Sequence, residues 1–269
     1  MSHPVRLAVL GDPLAFTRSP ELHRAGLAAL GLAGDSRAIR TPRERLAAVL
    51  DELAAAGYRG VNLTYPLKEA ALGHLDAASD AAQRARSVNT VGFEPGRRWG
   101  DTTDGPGLVD LLAALGRDAA LTRTVLLGAG GAARSLALAL AGGGASLTVS
   151  ARDPARAAAV WEGLAAAFVA WRSPGERAAL AQATLVVHCT PLVDAEGPAP
   201  VESLPRAALV VDLVYGPEPT PWVRRARAAG LEAHDGLGLL VHQARRSLAL
   251  WTGREVPLAP LARAVGWPR

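Results

Sequence analysis

A single lysine stands out among the residues that could do chemistry. Lys68 is the only lysine of the chain, although lysine and arginine together number 29. Arginine stays protonated in proteins, whereas the amine of lysine can be tuned to exchange its proton. The composition indicates a coding bias that replaced lysine by arginine wherever a permanent cation serves as well. Lys68 is therefore a candidate proton donor and acceptor.

The sequence around Lys68 predicts a strand that leads into a helix. The strand covers residues 60–63, and the helix is expected to open at Pro66, because proline suits the first helical position. Lys68 would then lie in the first turn. The positive helix end disfavours a cation there by roughly 0.3–1 kcal/mol and would lower the pKa of the amine. The alternative interpretation is an exposed lysine paired with a nearby glutamate.

Asp104 is the candidate partner of Lys68. It precedes the turn formed by Gly105, Pro106 and Gly107, so its side chain could simply cap the following helix. Beside Lys68 in a cleft, its carboxylate would instead hold the ammonium group in place and bias its protonation state. The residues alone leave both interpretations open.

A glycine-rich turn between a predicted strand and a predicted helix indicates dinucleotide binding. The strand, residues 124–127, runs into a Gly-x-Gly-x-x-Ala fingerprint, whose residues are Gly128, Ala129, Gly130, Gly131, Ala132 and Ala133. Gly128 would allow the tight turn, and Gly130 would let backbone amides approach a pyrophosphate at the positive helix end. Ala133 would permit close packing of helix on strand. The alternative is a glycine-rich turn that binds nothing.

The end of the next strand favours NADP over NAD. An NAD site would place an acidic residue there, whereas an NADP site places arginine near the 2′-phosphate. This strand leads into Arg152, and Arg156 follows one helical turn later. In the alternative interpretation both arginines are only solvated surface. Asp153 could cap the following helix or repel the phosphate.

These residues must be positioned by alternating strands and helices, which predict a two-domain α/β protein with open sheets. A substrate-binding domain is expected over residues 1–104, and a Rossmann-type NADP-binding domain over residues 105–237. Residues 238–269 are expected to return to the first domain, with helices over 239–251 and 258–265. A cleft would separate the two domains.

Composition narrows the classes of partner. The net charge is +4, but the basic residues are scattered among acidic ones, which argues against nucleic acid. No apolar run is long enough to span a bilayer, and no leader pattern opens the chain, so a cytoplasmic protein without a membrane partner is expected. No Cys/His cluster has metal-site spacing. His23 is interpreted as a helix-surface residue, and Cys189 as a small buried one.

Several motifs, in this order along the chain, resemble those of the shikimate dehydrogenase family. They are Asn62-Leu63-Thr64-Tyr65-Pro66-Leu67-Lys68, Val88-Asn89-Thr90, Thr103-Asp104-Gly105, the glycine turn, Asp212-Leu213-Val214-Tyr215-Gly216-Pro217, and Gln243. The resemblance spans nearly the whole chain. It implies an NADP-dependent oxidoreductase that reduces 3-dehydroshikimate to shikimate reversibly, in the chorismate pathway of aromatic amino-acid biosynthesis. It also implies a monomer or homodimer.

The resemblance assigns roles residue by residue. Lys68 and Asp104 resemble the family's catalytic pair. The positions that resemble substrate ligands are Thr17, Ser19, Asn62, Thr64, Lys68, Asn89, Asp104, Tyr215 and Gln243. Beyond the glycine turn, Arg152 and Arg156, the positions that resemble cofactor contacts are Thr190, Leu213 and Gly236.

Some positions depart from the family pattern. The segment with Thr17 and Ser19 is similar to the family's His-Ser-x-Ser-Pro, whose two hydroxyls bind the substrate carboxylate, but Phe16 replaces the histidine and Thr17 the first serine. Ser19 could alternatively be only a helix cap. His188 lies in a segment that usually reads Asn-Ala-Thr in the family. A quinate or aminoshikimate dehydrogenase is therefore one alternative function, and a non-catalytic NADP-binding sensor is another.

Overall fold

The chain folds into two compact units in the computed structural model, which describes residues 3–14, 16–193 and 196–269. The first unit comprises Met1–Leu108 and Leu240–Arg269, and the second comprises Val109–Leu239. Each unit contains a six-stranded sheet. The open α/β sheets expected from the sequence are confirmed.

Twelve strands are assigned within the described residues, and the first six belong to the first unit. They are β1 (Val5–Gly11), β2 (Gly34–Arg40), β3 (Gly60–Leu63), β4 (Ala77–Ala78), β5 (Thr90–Glu94), β6 (Arg97–Asp101), β7 (Arg123–Leu127), β8 (Ser146–Ala151), β9 (Ala167–Ala170), β10 (Leu185–His188), β11 (Leu209–Asp212) and β12 (Glu232–His234).

The α-helices in the same part of the chain alternate with these strands. They are α1 (Ser19–Ala29), α2 (Leu46–Ala55), α3 (Asp80–Ala85), α4 (Asp104–Ala114), α5 (Gly131–Gly142), α6 (Pro154–Val160), α7 (Pro174–Leu180), α8 (Pro221–Ala228), α9 (Leu237–Thr252) and α10 (Leu258–Val265). The returning helices expected near the end of the chain correspond to α9 and α10.

The sheet of the first unit is mixed and covered on both faces. Its strand order is β2-β1-β3-β5-β6-β4, with β1 parallel to β2 and β3, and β5 antiparallel to both of its neighbours. Successive side chains of a strand point to opposite faces. Accordingly, Ala8 and Leu10 of β1 share a core with α2, whereas Leu7 shares a core with α1, α9 and α10. Because β1 and β3 are parallel, their carboxyl ends lie at the same edge of the sheet.

The sheet of the second unit is parallel throughout. Its order is β12-β11-β10-β7-β8-β9. From the β9 end this is the strand order 3-2-1-4-5-6 of the doubly wound dinucleotide-binding fold. The order reverses between β7 and β10, and ligands of such sheets bind outside the carboxyl ends of the strands at that switch point. The residues that follow β7 and β10 therefore lie where such a sheet binds its ligand.

The prediction of a helix that opens at Pro66 is wrong. Turns span residues 65–70, and a short 3-10 helix, Ala71–His74, follows. The Leu67 N–H donates to the Thr64 carbonyl at 2.8 Å, and the Lys68 carbonyl accepts from the Val88 N–H at 2.8 Å. Because that carbonyl bonds to a distant segment, it does not serve a helical bond four residues on. Lys68 therefore lies in a turn and not in the first turn of an α-helix.

Two strands of the first unit have no apolar signature in the sequence. In β2 only Ser36 is buried, and in β6 only Gly100 is buried. Both strands carry arginine at other positions, so their charged side chains face solvent while their backbones complete the sheet. Such strands escape a prediction that relies on apolar periodicity.

Candidate active site

Lys68 and Asp104 form an ion pair within the first unit. The Lys68 Nζ lies 2.6 Å from Asp104 Oδ2, and the two side chains are 19% and 6% exposed. Lys68 lies in the turns that follow β3, and Asp104 is the first residue of α4. The pairing expected from the sequence is therefore observed. A short, shielded bond of this kind fixes the direction in which the ammonium group points.

Asn89 holds the other oxygen of the same carboxylate. Its Nδ2 donates to Asp104 Oδ1 at 2.9 Å and lies 3.2 Å from Gln243 Oε1. Its Oδ1 accepts the Thr103 N–H at 2.7 Å, which fixes the orientation of the amide. Both oxygens of Asp104 thus have a donor, one from Lys68 and one from Asn89. Four of the predicted site residues are joined in one buried network.

Asn62 extends this network inward from the strand before Lys68. Its Nδ2 donates to the Asn89 carbonyl at 2.8 Å and contacts Ser247 Oγ at 3.0 Å. Thr90 lies against the same amide and is 2.7 Å from Ser247 Oγ. The polar atoms of the Asn62 side chain therefore bond to other residues of the protein. Through Asn89, Asn62 is connected to the carboxylate of Asp104. The ligand role implied for Asn62 stays a prediction.

The interpretation of His23 as a helix-surface residue is wrong. His23 is fully buried; its Nε2 lies 2.9 Å from Asn62 Oδ1, and its Nδ1 lies 2.8 Å from Ser36 Oγ. The pKa of His23 is lowered to about 4, chiefly because burial desolvates the imidazole; the hydrogen bond to Asn62 opposes this shift, and the nearby charge of Arg24 adds to it. His23 is therefore a buried neutral imidazole that holds the Asn62 side chain in place.

Sequence reasoning missed several members of this network. Thr90 and Thr103 stand beside Asn89 and Asp104 in the motifs themselves, and their side chains are buried. Ser247 follows Gln243 by four residues in α9, and its hydroxyl donates to the Gln243 carbonyl at 3.0 Å. The helical spacing of Gln243 and Ser247 was the signal that could have found it, because residues four apart share one helix face.

Thr17, Ser19 and Thr64 lie near the ends of β1 and β3. The Ser19 N–H donates to Thr17 Oγ1 at 3.3 Å at the start of α1, and Ser19 is buried. The Thr64 N–H donates to the Leu10 carbonyl at 2.9 Å, at the end of β1. Phe16 is 44% exposed. The Thr17 hydroxyl therefore lies beside the backbone of Ser19.

The glycine turn lies at the switch point of the second unit. Gly128 has a φ of +120°, and its N–H donates to the Ser150 carbonyl of β8 at 2.8 Å. Gly130 caps α5, and a Cβ placed on Gly130 would meet no atom within 4 Å. Ala133 is fully buried against the sheet. The turn, the open backbone and the close packing fit a dinucleotide pyrophosphate, which takes up the space a side chain would fill.

The basic pair after β8 is exposed. Arg152 and Arg156 both face solvent. Asp153 Oδ1 accepts the Arg156 N–H at 3.0 Å, so the capping interpretation of Asp153 is confirmed. An NADP 2′-phosphate would fit the donors of these two arginines. The carboxylate of Asp153 therefore caps the N-terminus of α6.

The remaining candidate cofactor residues also belong to the second unit. Thr190 follows β10, and a Cβ on Gly128 would lie 2.7 Å from its Cγ2. A Cβ on Gly236 would lie 2.2 Å from the Leu213 carbonyl oxygen and 3.2 Å from Tyr215 Cδ1. Glycine is therefore required at position 236 for the close approach of this segment to Leu213. Ala129 and Ala132 are half-buried within the glycine turn.

Three observations concern other classes of site. Cys189 is half-buried, so its interpretation as a buried residue is wrong. Within residues 3–14, 16–193 and 196–269, no cluster of histidine, cysteine and acidic side chains could hold a metal ion. No helix in those ranges is long and apolar enough to span a membrane.

The fold and the glycine turn define a two-unit α/β protein of the dinucleotide-binding class. Residues 9–91 match the family model of the shikimate dehydrogenase substrate binding domain, and residues 236–265 match that of the shikimate 5′-dehydrogenase C-terminal domain. A shikimate dehydrogenase (NADP(+)) of Thermus thermophilus is 43% identical over 249 residues, which is 93% of this chain and 93% of the relative. The chain belongs to the shikimate dehydrogenase family.

Solved structures agree with this membership. The shikimate 5-dehydrogenase of Thermus thermophilus, in complex with NADP(H) and shikimate, superimposes with a TM-score of 0.88 at 40% identity, covering 97% of this chain and 98% of that one. The ligand-free 5-ketofructose reductase of a Gluconobacter species gives 0.82 at 28% identity, with 98% of each chain covered. The family predicted from the motifs is confirmed, and the shikimate dehydrogenase relatives are named as NADP(+)-dependent enzymes.

Proposed function

We propose that this chain catalyses the reversible NADPH-dependent reduction of 3-dehydroshikimate to shikimate. The observation that carries the proposal is the shielded pair of Lys68 and Asp104, in which both carboxylate oxygens have a donor. Such a pair supplies a proton at a fixed position, which a ketone reduction requires. A pure sensor has no need of it.

Lys68 donates the proton in the proposed mechanism. Its ammonium group gives the proton to the substrate oxygen as negative charge develops there, and in the reverse direction the amine takes it back. Asp104 orients the ammonium group through the 2.6 Å contact with Nζ. Asn89 keeps the carboxylate from rotating, because it holds the second oxygen at 2.9 Å. The geometry of the proton transfer is thus set before substrate binds.

Polar side chains of the first unit would bind the substrate. Thr17 and Ser19, which are neighbours at the start of α1, would anchor the carboxylate through their hydroxyls. The substrate hydroxyls would be bound by the amides and hydroxyl that surround the ion pair, together with Asp104 itself. We assign that role to Asn62, Thr64, Asn89 and Gln243. The family resemblance gives Tyr215, a residue of the second unit, a substrate contact as well.

The second unit would bind NADP. Gly128, Gly130 and the helix end of α5 would hold the pyrophosphate, and Arg152 with Arg156 would hold the 2′-phosphate. The bound nicotinamide supplies the hydride. We therefore assign substrate binding to residues 1–104 with 238–269 and NADP binding to residues 105–237.

Initial rates test the proposal directly. Purified protein is given shikimate or quinate, each with NADP or NAD, and cofactor reduction is followed. Strong activity with shikimate and NADP alone is expected. A preference for quinate would favour the alternative substrate, with Thr17 and Phe16 as its determinants, whereas cofactor binding without turnover of either acid would favour the sensor.

We further propose a cytoplasmic enzyme that is a monomer or homodimer. The family membership and the lone Cys189 support a reducing compartment. Light scattering of the purified protein would determine the mass in solution. Fractionation of the source cells would determine the compartment, and recovery of the protein outside the cytoplasm would contradict that part.

A further inference from the structure

A buried histidine of the second unit links an acidic residue to a cofactor-site hydroxyl. His188, the last residue of β10, is fully buried. Its Nδ1 lies 2.9 Å from Asp212 Oδ1, and its Nε2 lies 2.6 Å from Thr190 Oγ1. The edge contact between its ring and Trp222, with centroids 5.8 Å apart, limits rotation of the imidazole. The three polar residues form one continuous chain of hydrogen bonds.

Asp212 fixes which imidazole nitrogen carries a proton. Its Oδ2 accepts from Thr220 Oγ1 at 2.7 Å, and its Oδ1 accepts from the Val214 N–H at 3.0 Å. This carboxylate is therefore held as an acceptor, so the Nδ1–H of His188 donates to it. When the imidazole is neutral, Nε2 carries no proton and accepts from the hydroxyl of Thr190. The hydroxyl proton of Thr190 thus points at His188.

This arrangement gives Thr190 a defined polarity. Because the hydroxyl proton is used by His188, Oγ1 can offer only lone pairs to a ligand. The Leu192 N–H lies 3.4 Å away and contacts one of them weakly. Thr190 is half-buried. An acceptor of this kind suits a hydroxyl or amide group and disfavours a phosphate, which has lone pairs of its own.

Thr190 lies where a dinucleotide is expected. It follows β10, and Gly128 follows β7, which are the two strands at the switch point of the sheet. The two residues are in contact, since a Cβ on Gly128 would lie 2.7 Å from Thr190 Cγ2. The Thr190 side chain therefore lies beside the glycine turn, with its methyl group towards Gly128 and its oxygen bonded to His188.

We propose that His188 is a positioning residue for the cofactor. It accepts a hydrogen bond from the Thr190 hydroxyl, so that Oγ1 is left as an acceptor. Oγ1 then accepts a hydrogen bond from a donor group of the dinucleotide, either a ribose hydroxyl or the carboxamide. This role rests on the proposed function, because it requires NADP at the glycine turn. It adds a residue that the sequence analysis did not assign to the cofactor site.

Two substitutions of His188 separate its two bonds. In His188→Gln the side-chain amide reaches the position of Nε2 and can still bond Thr190, whereas in His188→Asn it reaches only the position of Nδ1 and bonds Asp212. We expect His188→Asn to raise the Kd for NADPH roughly five- to tenfold, as for the loss of one hydrogen bond, and His188→Gln to restore most of the affinity. Nucleotide fluorescence measures the Kd without turnover.

Thr190 provides the matched pair. Thr190→Val should weaken NADPH binding to a similar degree, Thr190→Ser should not, and the double variant His188→Asn with Thr190→Val should be no weaker than either single one. Equal losses in His188→Asn and His188→Gln, or additive losses in the double variant, would overturn the role of His188. So would unchanged binding by His188→Asn.

The failure of the proposed function gives a different result. If the unaltered chain does not bind NADPH at all, the proposed function fails and this role with it. If the unaltered chain binds NADPH and only the variant series behaves otherwise than expected, the function stands and the role alone is overturned. Thermal unfolding of each variant identifies any that fails to fold, and the Thr190 pair then decides.

Discussion

The Lys68 ammonium group lies 2.6 Å from Asp104 Oδ2 in a setting where the aspartate side chain is only 6% exposed. Water therefore competes little for this carboxylate, and the pair behaves as one unit. Removing the amine should leave the substrate pocket intact while removing the proton source. Removing the carboxylate should leave the amine without its orientation.

The first prediction follows from that difference. Lys68→Ala should lower kcat by roughly 10²–10⁴-fold with a modest change in KM for shikimate, since a positioned general acid contributes about this much. Lys68→Arg keeps the charge but cannot release a proton, and it should be nearly as impaired. Steady-state kinetics at saturating NADP measure both. Near-normal turnover of Lys68→Arg would exclude Lys68 as the proton donor.

The second prediction concerns His23 and acid stability. Burial lowers the pKa of His23 in the folded state to about 4, below the ordinary value of 6.5. The unfolded state therefore binds the proton first, and about 3 kcal/mol of stability, fully present above pH 6.5, is lost as the pH falls towards 4. Urea unfolding at several values of pH between 7 and 4 measures this loss.

Two variants isolate the contribution of His23. His23→Gln keeps a donor for Asn62 and removes the titrating group, so its stability should fall less steeply below pH 6.5. His3→Gln is the control, because His3 is exposed and its loss should not change the slope. Parallel pH profiles for the parent and His23→Gln would count against a buried neutral His23.

The third prediction separates two glycines of one turn. Gly128 has a φ of +120°, so Gly128→Ala should cost roughly 1–3 kcal/mol of stability as well as NADPH binding. Gly130→Ser keeps a good helix cap and fills open space, so stability should change by only about 0.5 kcal/mol while the Kd for NADPH rises. Gly142→Ala at the far end of α5 is the control. Unchanged binding in Gly130→Ser would contradict the assignment.

The fourth prediction concerns the choice of cofactor. Arg152→Ala should raise the Kd for NADP roughly tenfold and leave that for NAD unchanged, because one charge-assisted contact to the 2′-phosphate is lost. Asp153→Ser keeps a capping side chain and removes a negative charge, so it should not weaken NADP binding. Arg206→Ala, another exposed arginine, is the control. Equal losses for NADP and NAD would place Arg152 away from the phosphate.

Local chemistry explains why much of the fold could be predicted. Strand β7 and helix α5 have apolar periodicity and a glycine turn between them, which are signals within a few residues of one another. Strand β3 could also be predicted from its own residues, because all four of them are buried. Strand β2 has one buried residue and gives no such signal. Its place in the sheet is decided by pairing with β1 rather than by its own pattern.

The errors at Pro66 and His23 have a common cause. The Lys68 carbonyl bonds to the Val88 N–H of a distant segment, and His23 bonds to Ser36 and Asn62. Each of these partners lies outside the element that the sequence predicts. A propensity for helix or for surface is read from neighbours in sequence, whereas these bonds depend on the folded sheet. The ion pair was predictable because Lys68 is the only lysine of the chain and because Lys68 and Asp104 stand in motifs that resemble the family's catalytic pair.

Gln243 and Ser247 of α9 have a consequence for the order in which the protein is made. The residues at the centre of the site are translated within the first 104 positions, but their amides and hydroxyls find acceptors on a helix that ends at Thr252. A nascent chain in which α9 has not yet been synthesised therefore contains Lys68 and Asp104 without the side chains of Gln243 and Ser247. We therefore expect a translation product that ends before α9 to lack the hydrogen bonds that Asn62 and Asn89 make to Ser247 and Gln243.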